Sequence, residues 1–172
     1  MNAIVYTSNT GYTEKYAKLL STATGIPSFS FDEAQTLVSK DIKIIYMGWL
    51  MAGSVKGYAS ALKKWDIGVV CAVGMAFSSE EMVRKIAAQN KIDPSQLFYL
   101  RGGFDMKKLH GIHLFMMKIM RFIVGGSLKR KADKSPAETA MLDALFNGRD
   151  CVDEENLKEI TAWIDKNRKN AL

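Results

Sequence analysis

The sequence has little of what would staple, interrupt or anchor a chain. Its two cysteines, Cys71 and Cys151, lie far apart and form no CxxC pair. Neither a disulfide scaffold nor a zinc cluster is therefore signalled, and the usage suits a reducing cytoplasm. Only 3 prolines in 172 residues leave no proline-rich linker. The most apolar stretch, Leu109 to Val124, is broken by Lys118 and Arg121, and a membrane span needs about 20 mainly apolar residues. The first apolar run, Ala3 to Tyr6, is too short for the core of a secretory signal and reads as a strand. What is present is globular: 48% hydrophobic and 24% charged residues in 19.2 kDa, enough for one domain with one real core.

Charge of one sign is concentrated. Between Asp105 and Lys131 lie Lys107, Lys108, Lys118, Arg121, Lys129, Arg130 and Lys131, against Asp105 alone, and this segment supplies the entire net +6. The rest of the chain is neutral. A diffuse basic balance would invite nucleic acid. A neutral body with one basic segment does not, and an anionic partner is expected to meet residues 105–131.

Apolar runs alternate with helical spacings along the chain. Strands are predicted at Ala3–Tyr6, Ser28–Phe31, Ile42–Met47, Ile67–Val73 and Leu97–Leu100. Helices are predicted at Thr13–Thr22, Asp32–Val38, Val55–Lys64, Ser78–Gln89 and Asp153–Asn167. Repeated β-α alternation predicts an α/β fold, a parallel sheet covered on both faces, with five strands in the order 2-1-3-4-5. Residues 1–172 are read as a single domain. The segment at about 105–150 is too long for an ordinary connection and reads as an insertion.

In a doubly wound sheet, ligands bind at the carboxyl ends of the strands. The loop after the first strand is Thr7-Ser8-Asn9-Thr10-Gly11-Tyr12-Thr13, with four hydroxyls besides the tyrosine, one glycine and no charge. Wrapped over a helix N-terminus, it directs backbone N–H groups into one space. Ser8, Thr10 and Thr13 add hydroxyl donors, and Gly11 permits positive φ or a close approach. The product is a neutral cradle for a phosphate dianion; the plainer reading is a polar loop with a capping threonine.

The pattern Ser8-x-Thr10-Gly11-x-Thr13, after an apolar first strand and opening a helix, resembles the FMN phosphate loop of flavodoxins. Other motifs fit worse. There is no GxGxxG, and Gly48-x-x-x-x-Gly53-Ser54 lacks the P-loop lysine. Receiver domains carry acids after the first strand and a lysine after the fifth, where this chain has Tyr6-Thr7 and Leu100-Arg101.

The resemblance implies a flavodoxin-like fold and FMN as cofactor, bound at Ser8, Asn9, Thr10, Gly11, Tyr12 and Thr13. It also implies that the two loops after strands three and four bracket the flavin ring. These are Gly48-Trp49-Leu50-Met51-Ala52-Gly53 and Gly74-Met75-Ala76-Phe77. Glycine-flanked apolar loops at a ligand edge are unusual, and a flat ligand between them accounts for both. The ring-binding candidates are Trp49, Leu50, Met51, Ala52, Gly53, Gly74, Met75 and Ala76. Trp49 either stacks on the ring or packs beneath the following helix. Backbone groups from Leu50 to Gly53 are the candidates for tuning the flavin. No side chain reads as a general acid or base. His110 and His113 lack a third metal ligand, so no metal is expected.

From Lys107 to Val124 the apolar residues Leu109, Ile112, Phe115, Met116, Ile119, Met120, Phe122 and Ile123 fall on one arc of about 160°. Lys107, His110, His113, Lys118 and Arg121 fall opposite, with Leu114 and Met117 among them, and Gly125-Gly126 ends the predicted helix. Such a cationic amphipathic helix suits a membrane surface, a partner, or packing on its own domain. The segments Leu100-Arg101-Gly102-Gly103-Phe104-Asp105 and Met117-x-x-Met120-Arg121-Phe122-Ile123-Val124-Gly125-Gly126 resemble the menaquinone-linked protoporphyrinogen dehydrogenases, a flavodoxin-like branch. Three functions are thereby expected in order. The first is a redox protein transferring electrons through FMN to a redox partner or quinone-like acceptor. The second is a quinone-linked protoporphyrinogen IX dehydrogenase. The third is a flavin-free interaction module. The expected location is the cytoplasm, with peripheral contact to the inner face of an anionic membrane through residues 105–131.

Overall fold

The computed structural model describes residues 1–103 and 148–169, with positions 105, 111, 118, 119, 122, 126, 130, 132–135, 138 and 139. Its contacts group into two units, Met1–Gly102 with Val152–Leu172, and Gly103–Cys151.

In the first unit the elements run β1 (Ala3–Thr7), α1 (Tyr12–Thr24), β2 (Ser28–Ser30), α2 (Phe31–Leu37), β3 (Lys43–Met51), β4 (Ser54–Val55), α3 (Tyr58–Ala61), β5 (Asp66–Gly74), α4 (Glu80–Asn90) and β6 (Leu97–Arg101). A 3-10 turn at Glu154–Leu157 then leads into α5 (Lys158–Lys169). The sheet order is β2-β1-β3-β5-β6, all parallel, with the short β4 antiparallel to β3. The five parallel strands therefore stand in the expected 2-1-3-4-5 order of a flavodoxin-like α/β sheet. The sixth strand, β4, is an addition to that expectation.

Strand side chains alternate between two cores. Ala3, Val5, Ile44, Tyr46, Val70 and Ala72 bury against α2, α3 and α4. Ile4, Ile45, Met47, Val69 and Cys71 bury against α1 and α5. Burial on both faces is why these strands read as unbroken apolar runs rather than alternating ones. Cys71 sits inside β5, fully buried, as a small core residue.

Several boundaries differ from expectation, each for a local reason. The helix predicted at Val55–Lys64 shrinks to the single turn Tyr58–Ala61. Val55 is spent in β4, and Gly57 at φ 80° makes the left-handed turn that starts α3. Helix α4 begins after Ser79, not Ser78, because the Ser79 hydroxyl accepts from the Met82 N–H. Helix α2 starts at Phe31 because Ser30 and Glu33 form a reciprocal capping box. The last helix is preceded by the Asp153-capped 3-10 turn and so starts later than Asp153.

In the second unit, Ser135 and Glu138 make another reciprocal pair. The Ser135 N–H donates to Glu138 Oε2 at 2.8 Å, and the Glu138 N–H donates to Ser135 Oγ at 3.2 Å. The helix expected over Lys107–Val124 and the residues His110, His113, Lys129 and Lys131 lie outside the described residues, apart from isolated positions. At two of those positions Ile119 and Phe122 are exposed, Phe122 to 84%.

Candidate functional site

Four connections leave the carboxyl edge of the parallel sheet, and the first is the hydroxyl loop. Gly11 takes φ 87° and serves as the residue preceding α1. Its N–H donates to Ser8 Oγ at 3.1 Å, closing the loop on itself. A Cβ added at Gly11 would meet nothing within 4 Å, so the backbone faces open space there. Thr13 falls in the first turn of α1 and is buried, as is Tyr12. The Thr10 and Thr13 hydroxyls make no side-chain hydrogen bond among the described residues, and Ser8 Oγ keeps its own hydrogen to donate. The loop carries no charge, and Lys15 stands 5.6 Å over the Tyr12 ring.

Of the hydroxyls counted in this loop, Thr7 points elsewhere. Tyr46 donates to the Lys56 carbonyl at 2.8 Å, so the 2.8 Å contact between Thr7 Oγ1 and the Tyr46 oxygen has Thr7 as donor. Burial raises the Tyr46 phenol to about 12, opposed by this bond. Tyr46 is thus a neutral brace beneath the edge.

The connection after β3 is not the open loop expected at Gly48–Gly53. Strand β3 continues through Trp49 and Leu50 to Met51, then reverses into β4, pairing Leu50 with Val55 and Met51 with Ser54. Ala52 and Gly53 form the two-residue turn with φ 49° and 78°, the signature of a primed hairpin turn. Helix α4 holds this hairpin. Gln89 Nε2 donates to the Ala52 carbonyl at 2.9 Å and to Ser54 Oγ at 3.1 Å. Asn90 Nδ2 donates to the Gly53 carbonyl at 2.8 Å, and Asn90 Oδ1 accepts from the Val55 N–H at 2.9 Å. Gln89 and Asn90 carried no signal in the sequence, because they act on residues far along the chain.

The connection after β5 starts at Gly74 and exposes Met75 to 40% and Phe77 to 58%. It is braced by Tyr99 of β6, whose hydroxyl donates to the Ala76 carbonyl at 2.8 Å. A Cβ at Gly74 would stand 2.7 Å from that hydroxyl and 3.0 Å from Leu50 Cδ1. The two apolar connections therefore meet at Gly74. Trp49, half-buried, pairs in register with Val73 one residue earlier.

The connection after β6 completes the edge. Arg101 pairs in register with Gly74, and the Gly102 N–H donates to the Gly74 carbonyl at 2.7 Å. A Cβ at Gly102 would lie 3.6 Å from Tyr12 Cβ. The hydroxyl loop, the β5 connection and the end of β6 are thus neighbours. The Arg101 guanidinium lies over the Phe77 ring at 3.7 Å from its centroid. The Arg101 carbonyl accepts from the Tyr16 hydroxyl at 2.5 Å, which in turn accepts from Asn156 Nδ2 at 2.6 Å. Arg101 was not among the site residues expected from sequence.

The donor set suits a phosphorylated flat molecule. The backbone opens to free space at Gly11, where α1 begins beside the loop's hydroxyl residues, and the exposed Met75 and Phe77 stand at the same sheet edge. Among the described residues no group of three His, Cys, Asp or Glu is placed to hold a metal. No helix among them is long and apolar enough to cross a membrane.

No family model matches the chain, and no curated protein matches it. Among solved structures, the chain is similar to rubredoxin oxygen:oxidoreductase (ROO) from the anaerobe Desulfovibrio gigas, at 15% identity with a TM-score of 0.35. The likeness covers 74% of this chain and 35% of that one, so this chain spans about a third of the solved protein.

Proposed function

We propose that the protein binds FMN and acts as a flavodoxin-like redox protein, as an electron carrier or a small flavin-dependent oxidoreductase. The observation that carries this reading is the uncharged hydroxyl loop opening α1 with empty space at Gly11, beside exposed apolar residues at the same sheet edge. The phosphate would be held by Ser8, Thr10, Thr13 and the backbone N–H groups of the first turn. The segments Trp49–Gly53 and Gly74–Ala76 would flank the ring. When bound, the flavin supplies the electron-accepting and electron-donating chemistry. The chain's own part is to orient the ring, shield it from water and offer backbone groups of the hairpin to its polar edge. A narrower form, a quinone-linked protoporphyrinogen dehydrogenase, is supported by the resemblance of Leu100–Asp105 and Met117–Gly126 to that branch.

The test is titration of flavin-free protein with FMN, followed by flavin fluorescence. Thr10→Glu places a carboxylate where the phosphate would sit. It is expected to weaken FMN by about 100-fold or more, the loss of one or two charge-assisted hydrogen bonds plus repulsion. Riboflavin, lacking the phosphate, is expected to bind far more weakly than FMN. Equal affinity for FMN and riboflavin, or a folded Thr10→Glu variant that keeps FMN within a few-fold, overturns the assignment.

A further inference from the structure

A run of hydrogen bonds beneath the sheet edge joins the hydroxyl loop to the hairpin. Thr7 and Gly48 are the last pair in register between β1 and β3. From there the chain continues from Thr7 into the loop at Ser8, and from Gly48 through Trp49 into the hairpin. The Thr7 hydroxyl donates to the Tyr46 phenol oxygen at 2.8 Å, and the phenol donates to the Lys56 carbonyl at 2.8 Å. The Lys56 N–H in turn donates to the Trp49 carbonyl at 3.0 Å. The run therefore starts at the residue before Ser8 and ends on the backbone of the hairpin. Packing around it leaves no slack. Tyr46 is fully buried. A Cβ added at Gly57 would collide with the Tyr46 hydroxyl and Thr7 Oγ1. One added at Gly48 would stand 2.7 Å from the Lys56 carbonyl oxygen and 3.1 Å from Tyr46 Cε1. Interiors packed this closely transmit a displacement rather than absorb it.

We propose that Thr7 and Tyr46 are positioning residues that preset the spacing between the phosphate loop and the ring-flanking hairpin. They thereby determine how strongly the site prefers FMN over a flavin without phosphate. This rests on the FMN reading above. Both side chains act through the backbone they hold, not on the ligand. A molecule that carries its phosphate and its ring on one chain gains from both half-sites when their separation already matches it. If the separation is not preset, binding must also order the protein, and the second contact adds less. With the run cut, each half-site keeps its own donors, and what is lost is their cooperation.

The experiment titrates full-length, flavin-free protein with FMN and with riboflavin by flavin fluorescence. Inorganic phosphate is measured by its competition against FMN. Tyr46→Phe deletes both side-chain bonds of the run with little change in volume. It is expected to lower the preference for FMN over riboflavin by about ten-fold or more. Riboflavin and inorganic phosphate, which each use one half-site, are expected to stay within about two-fold of wild type. Thr7→Val keeps the shape, cuts the run at the loop and is expected to lower the preference in the same way. Thr7→Ser keeps the hydroxyl and is expected to restore it. Should Tyr46→Phe fail to fold, the two Thr7 variants decide the matter. Asn90→Ala is the control: it loosens the hairpin itself and is expected to weaken both flavins alike, leaving their ratio unchanged. A wild-type ratio in folded Tyr46→Phe or in Thr7→Val overturns the proposal. So does a parallel loss of FMN and riboflavin in these variants, which a purely structural role would give. A fall in phosphate affinity that matches the fall in preference also overturns it, since the cradle itself would then be damaged. Absence of FMN binding to wild type, or equal affinity for FMN and riboflavin, defeats the FMN reading and this proposal with it. A wild type that prefers FMN, with variants that keep the preference, defeats this proposal alone.

Discussion

Asn90 grips both sides of the hairpin turn with one side chain: its amide nitrogen donates to the Gly53 carbonyl at 2.8 Å and its oxygen accepts from the Val55 N–H at 2.9 Å. The same nitrogen also donates to the Ile86 carbonyl at 2.8 Å, which locks the side chain to its own helix. The position of the Trp49–Gly53 segment is therefore set by α4. Asn90→Ala leaves a partly buried carbonyl and N–H without their partners, a loss of about 1–3 kcal/mol. Urea unfolding should show a lower midpoint at unchanged m, and FMN affinity should fall with it. Gln89, which is exposed, should matter less when replaced by Ala.

Alkaline pH should destabilise the protein through two buried groups. Burial pushes the Cys71 thiol from 9.0 up to about 12 and the Tyr46 phenol from 10.0 up to about 12. Both protons are held more tightly in the folded state than in the unfolded one. Their stabilisation is complete below the unfolded values and is lost as pH rises from about 9 towards 12. Each group contributes a slope of about 1.4 kcal/mol per pH unit within its window. Unfolding free energies measured from about pH 8 to about pH 11 should fall, and Cys71→Ala should flatten the part of the curve that begins near 9. An unchanged slope in Cys71→Ala would contradict the account.

The basic segment gives a third expectation. Residues 105–131 carry the whole net +6, and Phe122 and Ile119 expose apolar surface within it. We propose that this segment meets anionic membrane. Each basic side chain near an anionic lipid surface contributes about 1 kcal/mol, screened by salt. Co-sedimentation should recover the protein with phosphatidylserine vesicles at low salt and not with phosphatidylcholine vesicles. Changing Lys129, Arg130 and Lys131 to Glu should release it. Recovery with neither vesicle would remove the membrane from consideration.

What was legible in the sequence followed from burial and local chemistry. The central strands and their order emerged because both faces of the sheet are covered there, so Ala3–Tyr6, Ile44–Met47 and Val69–Val73 are apolar runs. The hydroxyl loop emerged because its composition is concentrated in seven consecutive residues. The hairpin did not, since a two-residue strand exists by virtue of Gln89 and Asn90. The shortened α3 was hidden for a related reason. Gly57 takes its left-handed turn where an added Cβ would run into the Tyr46 hydroxyl and Thr7, a constraint set by β1 and β3 rather than by its neighbours. Arg101 looked like an ordinary strand-end residue until the pairing of β5 with β6 laid it on Phe77.

The Tyr16 hydroxyl joins the Arg101 carbonyl, just before residues 103–151 begin, to Asn156, just after they end. One phenolic oxygen thus clasps the point of departure to the point of return. A segment whose two roots are tied together is replaceable in the way a cassette is. Closing the gap with a few flexible residues demands little chain entropy, and the described residues of both cores lie within Met1–Gly102 and Val152–Leu172. Residues 103–151 can therefore be exchanged in experiment with the strand ends of the first unit left as they are.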